Sequence, residues 1–570
     1  MIKNKYIWGV FGLLFIIFTG SIIILPRLGL EASDVNFAYV ERVFDQSKVT
    51  TVNITLAESD LTKILEDPLA EEIVEATVEI NGEKVEHVGL RVKGNSSLSS
   101  VARMEDSDRY SFKIDFDYYN GEQNLYGLKK LNLNNNFSDA TQMKEYVSYK
   151  LIAEMGLPSP ANSYMYVTIN GKEWGLYLGV EQIDEIFIAR NFADSGGDLY
   201  KPEGTGSDLK WISDDIKDYP GLILKTNVET SDQSAMINFL AAINHGGDIA
   251  SHVDVDEMLR YFATNTALVS LDSYQGPMKH NYYLYEQDDV FSIIPWDYNM
   301  AFGGFAVGGA RNREIDKNEQ VDQTQNPANK NADVPNRKFM GMPGNQKLIN
   351  ENSINFSITT PVSGTTLADR PLLNALLSVA EYREQYEAHL KEIAINLLTE
   401  EHIQSITQEV AAIILPYVER DPTKFYTTEE FKQGVSGENS LPEFAAQRSA
   451  SILAQLSGEL VVEAETGGFE PGNMRGIMEK GPDNMMPPNL GENNGGGATQ
   501  PDFNGGERLP MEPGGFNNNG QHRGAPGGFM PEEQRVESGG QIYMETVVAS
   551  SAVLVGAIVF VSIFKRRKYR

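Results

Sequence analysis

Three residues have the chemistry to hold a metal ion beside a phosphate: Asp272, Asn281 and Asp297. Asn and Asp side chains offer hard oxygens, which suit Mg²⁺. HNYYLYE at 280–286 and VFSIIPWDY at 290–298 are two strand-like runs joined by Gln287-Asp288-Asp289, so their spacing predicts a hairpin. With a loop of two or three residues, opposed positions sum to about 576 or 577, which sets Asn281 opposite 295 or 296 and Asp297 within a residue or two of it. Directly opposed side chains are roughly 5 Å apart at Cβ. Register decides the face, so the count gives nearness only, and a strand end with a capping aspartate remains the structural alternative. Upstream, DVDEMLRYFATNTALVSL predicts a helix over 254–271 with Asp272 at its C-terminal end. A carboxylate there opposes the helix dipole, and such a placement asks for a functional reason.

The order helix, Asp, loop, Asn, hairpin, Asp, Gly is that of a protein-kinase catalytic loop and metal-binding turn. In that template the first Asp orients the acceptor hydroxyl, while the Asn and second Asp hold metal. The spacing departs from it: nine positions separate Asp272 from Asn281, against about five in the template. Neither H-R-D nor D-F-G occurs at these positions.

The elements that must position these residues follow from periodicity and punctuation. VTTVNITLA at 49–57 alternates as a strand, and 73–80 and 85–92 flank an Asn-Gly turn, a hairpin signal. SFKIDFD at 111–117 sends Phe112, Ile114 and Phe116 to one face and Lys113, Asp115 and Asp117 to the other. SDATQMKEYVSYKLIAEMGLP predicts a helix with Asp139 and Gln142 as its capping box, ended by Gly156 and Pro158. Strands at 164–169 and 175–180 enclose Asn170-Gly171, a polar stretch at about 306–350 predicts a long loop or insert, and the C-terminal part from Arg370 is helical. A β-rich half followed by a helix-rich half predicts an α+β fold.

Several blocks resemble the CotH family, the spore-coat-protein-H-like atypical kinases: RVKGNSS at 91–97, YSFKIDF, LNLNNNFSDATQMKEYVSYKLIAEMGLPSP, INGKEWGLYLGVEQIDEIFIARNF, GDLYKPEG, SYQGPMKHNYYLYE, IIPWDYNMAFGG and RPLLNALLSVAEYREQYEAHL. They occur in order over roughly residues 48–400. The resemblance implies an atypical protein-kinase-like two-lobed fold, with a β-rich N-lobe and a helical C-lobe, spanning 46–458. It also implies ATP and Mg²⁺ (with Mn²⁺ as a substitute) as cofactors, and phosphate transfer to Ser or Thr of surface or spore coat proteins. By the same resemblance Asp297 and Asn281 are metal ligands and Asp272 is the catalytic aspartate. Lys113 is then the phosphate-contacting lysine, Glu145 its partner, and Arg91, Lys93, Asn95 and Ser96 a turn that covers phosphates. Glu181 falls where a nucleotide-holding hinge begins. The purely structural alternative makes Lys113 an exposed strand lysine and Asn134–Asn136 a polar turn.

Composition bounds the rest. The formal net charge is −31, with 79 acidic residues against 48 basic, which repels phosphate backbones and argues against a nucleic-acid partner. No cysteine is present, so disulfides, zinc–cysteine sites and thiol catalysis are excluded together. Residues 6–25 are uncharged and follow Lys3 and Lys5, so 1–27 is expected to be a signal-anchor or signal peptide. Residues 546–564 are uncharged and precede KRRKYR, which predicts a transmembrane helix and a basic cytoplasmic tail at 565–570. Together they predict a fold flanked by transmembrane segments in the cell membrane, with the main domain extracytoplasmic. The Gly/Asn/Pro/Met-rich segment within 459–545 is of low complexity and is expected to be a disordered tether. A non-catalytic surface protein using the same fold, as a pseudokinase or adhesin, is the competing expectation.

Overall fold

Polar and apolar residues alternate through much of the chain between Thr50 and Glu181, and in the computed structural model the apolar sides of these strands turn inward. The structure describes residues 37–305 and 348–462. Strands β1 (Thr50–Thr55), β2 (Val74–Ile80), β3 (Glu83–Lys93), β4 (Ser111–Asp115), β5 (Lys130–Asn134), β6 (Asn162–Ile169) and β7 (Lys172–Glu181) form a closed barrel in the order β1-β2-β3-β4-β5-β7-β6. Its neighbours are antiparallel except at the seam, where β1 runs parallel to β6 from Thr50↔Met165 to Ile54↔Ile169. Val52, Leu90, Phe112, Leu133, Val167 and Tyr177 belong to the core it encloses. The two Asn-Gly turns have φ > 0 at both residues (52° and 88° at Asn81-Gly82, 50° and 75° at Asn170-Gly171), the geometry that joins right-twisted strands most tightly.

A second sheet contains β8 (Asp198–Pro202), β9 (Leu222–Leu224), β10 (Tyr282–Gln287) and β11 (Val290–Pro295), in the order β11-β10-β8-β9. Leu284, Phe291 and Ile293 share a core with Phe262 of helix Val255–Leu268, Leu390 of helix Ala380–Glu392 and Ile452 of helix Leu441–Ser457.

This architecture corrects the expected kinase-like two-lobed fold. The β-rich half is a closed barrel, because the parallel β1–β6 pairing removes the free edges of an open sheet. Among the described residues no helix is long and apolar enough to cross a membrane. The expected spans at 6–25 and 546–564, the tail at 565–570 and nearly all of the tether lie outside the described residues, as does most of the expected insert at 306–350. The early helix also starts late, at Lys144. Asp139 instead builds the turn before it, accepting from Thr141 N (2.9 Å), Thr141 Oγ1 (2.6 Å) and Lys144 N (2.8 Å).

A buried ion pair ties the barrel to the C-terminal helices. Arg109 Nη1 donates to Asp421 Oδ1 and Oδ2 at 3.0 and 2.9 Å and to Thr423 Oγ1 at 2.7 Å, and Asp421 Oδ2 also accepts from Leu176 N at 2.8 Å. At Gly175 (φ +119°) a Cβ would lie 2.2 Å from Asp421 Oδ1, so only glycine lets β7 come this close. Replacing Asp421 by Ala strands the guanidinium in the interior. The expected loss is about 3–5 kcal/mol, read as a lower denaturant midpoint.

Glu257, in the first turn of helix Val255–Leu268, is buried and accepts from Ile293 N and Ser292 Oγ, both at 3.1 Å. Burial outweighs these bonds and pushes its carboxyl up to about 7. The folded state therefore holds this proton where the unfolded chain has lost it, so the contribution is greatest in acid and falls as pH rises from about 4.5 to 7. Glu257→Gln is expected to remove on the order of 3 kcal/mol of that fall, measured as the wild-type-minus-variant difference in unfolding free energy across the window.

Candidate functional site

The β10–β11 hairpin sets the register of the site. Gln287 pairs with Val290 and Tyr282 with Pro295, so the loop is the two residues Asp288-Asp289 (φ 53° and 66°) and opposed positions sum to 577. Asn281 is thus opposite Trp296, one residue before Asp297. Asp297 itself is left-handed (φ 54°), and its N–H donates to Tyr149 Oη at 3.1 Å. Its Oδ1 is buried and has no hydrogen-bond partner. Burial raises the Asp297 pKa, the Lys93 ammonium opposes this, and the Asp272 carboxylate adds to it.

Asp272 is placed differently from the sequence expectation. The helix stops at Leu268 with Val269 as a left-handed cap (φ 49°), so Asp272 lies in the following loop, beyond the helix terminus. Its Oδ1 accepts from His280 Nε2 at 2.6 Å and its Oδ2 from Asn281 Nδ2 at 3.2 Å, while its carbonyl takes Asn281 Nδ2 at 2.9 Å. Burial would lower the His280 pKa, but the bond to Asp272, with Asp297 and Glu203 beyond, reverses that and leaves it raised.

The barrel supplies the opposite wall. Lys93, the last residue of β3, donates from Nζ to Asn134 Oδ1 at 2.9 Å, and Asn134 Nδ2 donates to Glu145 Oε2 at 2.9 Å. The Lys93 ammonium is 5.8 Å from the centre of the Trp296 ring. Burial lowers the Lys93 pKa against the pull of Asp297 and Glu145. Glu145 is raised to about 7 by burial and by Asp297, and its Oε1 is a second buried oxygen without a partner.

The expected site residues therefore divide. Asp272, Asn281, Asp297, Lys93 and Glu145 come together. Lys113 lies one strand from Lys93's, opposite Arg91 on β3 and Asn132 on β5 and so on their face of the sheet. Arg91 is paired with Glu71. Asn95 reaches across to β8's end, donating to Glu203 Oε1 at 3.0 Å. Ser96 is an exposed residue that opens the short helix Ser96–Val101. Glu181 is not brought to the group: it is buried with the Tyr39 hydroxyl, the Arg190 guanidinium and Ala161 N.

Lys201 and Glu203 escaped the residue-by-residue expectations. Lys201 Nζ is 3.0 Å from Glu203 Oε2, and both Arg91 and Lys201 act electrostatically on Lys93. Their one sequence signal is membership of the GDLYKPEG block. Three cations thus gather in a chain of net charge −31, which suits an anion.

Among the described residues no group of three or more His, Asp or Glu side chains is arranged to hold a metal by itself. Mg²⁺ beside phosphates needs less, since one or two carboxylates suffice and phosphate and water oxygens complete its shell. The orphaned Asp297 Oδ1 and Glu145 Oε1 fit such an ion, since a buried carboxylate oxygen ordinarily has a partner and these two belong to the same charged group as Lys93.

The family model described as CotH kinase protein matches residues 90–452, more than half of the chain. The chain belongs to the CotH family. It is 26% identical over 271 residues to inner spore coat protein H of Bacillus subtilis (strain 168), covering 45% of this chain and 70% of that protein. It is also 30% identical over 94 residues to an inner spore coat protein H-like protein of the same organism, covering 16% of this chain and 29% of the relative. The CotH match begins inside β3, so β1, β2 and the first part of β3, which complete the barrel, precede it.

If Asp297 anchors a divalent ion, adding Mg²⁺ or Mn²⁺ with ATP should raise the melting temperature of the wild-type protein. At a hundredfold excess over Kd the stabilisation is about 2.7 kcal/mol. Asp297→Asn should abolish the metal-dependent part, as measured by differential scanning fluorimetry.

Proposed function

We propose that the chain is a protein serine/threonine kinase that uses Mg²⁺ and ATP to phosphorylate surface or spore coat proteins. The observation that carries this is the convergence of Asp272 and Asn281 from one loop with Asp297, Lys93 and Glu145, leaving two buried carboxylate oxygens without partners. Membership of a family described as kinases, and similarity to a spore coat protein, support the reaction and the class of acceptor.

Bound Mg²⁺ would neutralise charge on the donor phosphates and align them. Asp297 and Asn281 would hold it. Lys93, kept in place by Asn134 and Glu145, faces the donor phosphates, with Arg91, Lys113 and Lys201 extending the cationic wall. Asp272 orients the acceptor hydroxyl and receives its proton as the new oxygen–phosphorus bond forms and the bond to the departing ADP breaks. Asn95, tied to Glu203, would join the turn that precedes Ser96 to the end of β8, which carries Lys201.

Full-length protein incubated with labelled ATP, Mg²⁺ and a spore coat or surface extract should transfer label. Asp297→Ala should reduce transfer by about 10³-fold, the scale of losing a metal clamp on the transferring group. Wild-type protein that transfers nothing, or an Asp297→Ala protein as active as wild type, would leave a non-catalytic surface-binding role instead.

A further inference from the structure

A base on a loop works only if its carboxylate is held in one orientation. Asp272 lies on such a loop, between helix Val255–Leu268 and β10. Asn281 alone fixes its backbone carbonyl and one carboxylate oxygen, Oδ2. The other oxygen, Oδ1, is taken by His280 Nε2 at 2.6 Å. Consecutive residues of an extended chain point to opposite sides, so 280 and 281 would not ordinarily meet one acceptor. Here they do, because the residues on either side of His280's backbone, Lys279 (φ 49°) and Asn281 (φ 58°), are both left-handed. Lys279 is itself anchored, its Nζ 2.7 Å from Asp208 Oδ2.

Resting on the kinase proposal above, we infer that His280 is a positioning residue for phosphoryl transfer. Its Nε2–H holds Asp272 Oδ1, so that the carboxylate meets the acceptor hydroxyl in a fixed orientation. The imidazole has Asp272 on one side and the Glu203 carboxylate in its field, and Glu203 is held by Lys201 (3.0 Å) and Asn95 (3.0 Å). His280 bonds Asp272, whereas Lys93 bonds Asn134, so the loss of His280 should weigh on transfer more than on donor binding.

The test compares full-length wild type with His280→Ala, His280→Gln and His280→Leu, using labelled ATP, Mg²⁺ and a spore coat extract. His280→Ala should lower the maximal transfer rate by about 10–100-fold, the usual cost of losing a residue that orients a functional ligand. The ATP concentration for half-maximal rate should shift far less than the maximal rate, and the melting temperature should fall by no more than the loss of one hydrogen bond to a charged group allows. His280→Gln, which keeps a side-chain donor, should recover part of the rate, and His280→Leu, of similar bulk without one, should not. Should the Ala variant fail to fold, the Gln and Leu variants decide between them, and equal rates overturn the inference. Active wild type matched by every His280 variant overturns it alone, as does a loss confined to the ATP requirement. Wild type that binds Mg²⁺ and ATP but transfers nothing overturns the kinase proposal with it.

Discussion

The buried pair of Arg109 and Asp421 is the constraint on which the site depends. Two charges out of water are costly, and here the cost is offset by complete pairing: Arg109 also donates through Nε to Asn135 O at 3.1 Å, reaches Leu176 O, and lies 4.8 Å over the Tyr177 ring. The bond to Asn135 matters most for function. It fixes the turn after β5, and Asn134, one residue earlier, is the bridge between Lys93 and Glu145. A contact with a residue far along the chain thus sets the position of a lysine on β3. Tyr426, which donates to Phe137 O at 2.9 Å, holds the same turn from the C-terminal side.

With that turn fixed, the site can tolerate groups that would be defects elsewhere. Lys93, Glu145 and Asp297 are charged groups held in the interior with incomplete pairing, and two of their carboxylate oxygens have no partner at all. The backbone around them departs from ordinary conformations as well: Val269, Lys279, Asn281, Asp297 and Phe302 are all left-handed without being glycine. Such positions persist only where surrounding packing determines them, and they collect where side chains must be aimed. Tyr149 illustrates the aiming. From the helix that carries Glu145 it takes the Asp297 N–H, and its ring packs 5.7 Å from that of Tyr298.

What was legible in the sequence was local. Counting across Gln287-Asp288-Asp289 brings Asp297 beside Asn281 because hairpin geometry follows from a short loop, and the two Asn-Gly turns announce themselves by composition. Long-range pairing was not legible. Nothing in the period-2 pattern of β1 says that it will lie parallel to β6, more than a hundred residues on, and that pairing turns an open β-rich lobe into a barrel. The same limit holds for Lys113 and Lys93, both expected at the phosphates. Both are polar residues on neighbouring strands, and it is the placement of helix Lys144–Glu154 against the end of β3 that links Glu145 to Lys93 through Asn134. Asp272 was misjudged by a few residues of helix, since a left-handed Val269 is a cap that composition does not announce.

The barrel's start shows why site and scaffold cannot be separated along the chain. The CotH match opens at residue 90, within β3, yet the strand that ends in Lys93 pairs on its other side with β2, and β2 with β1. Tyr39, ahead of all of them and fully buried, bonds Glu181 at the end of β7, and Arg190 joins the same carboxylate. Glu181 is therefore a fastening of the barrel to the segment before β1. Residues 37–89 hold no member of the proposed phosphotransfer group, but they close the barrel that carries β3. A fragment cut to the family match would expose the unpaired edge of that strand and loosen Lys93 from Asn134 and Glu145.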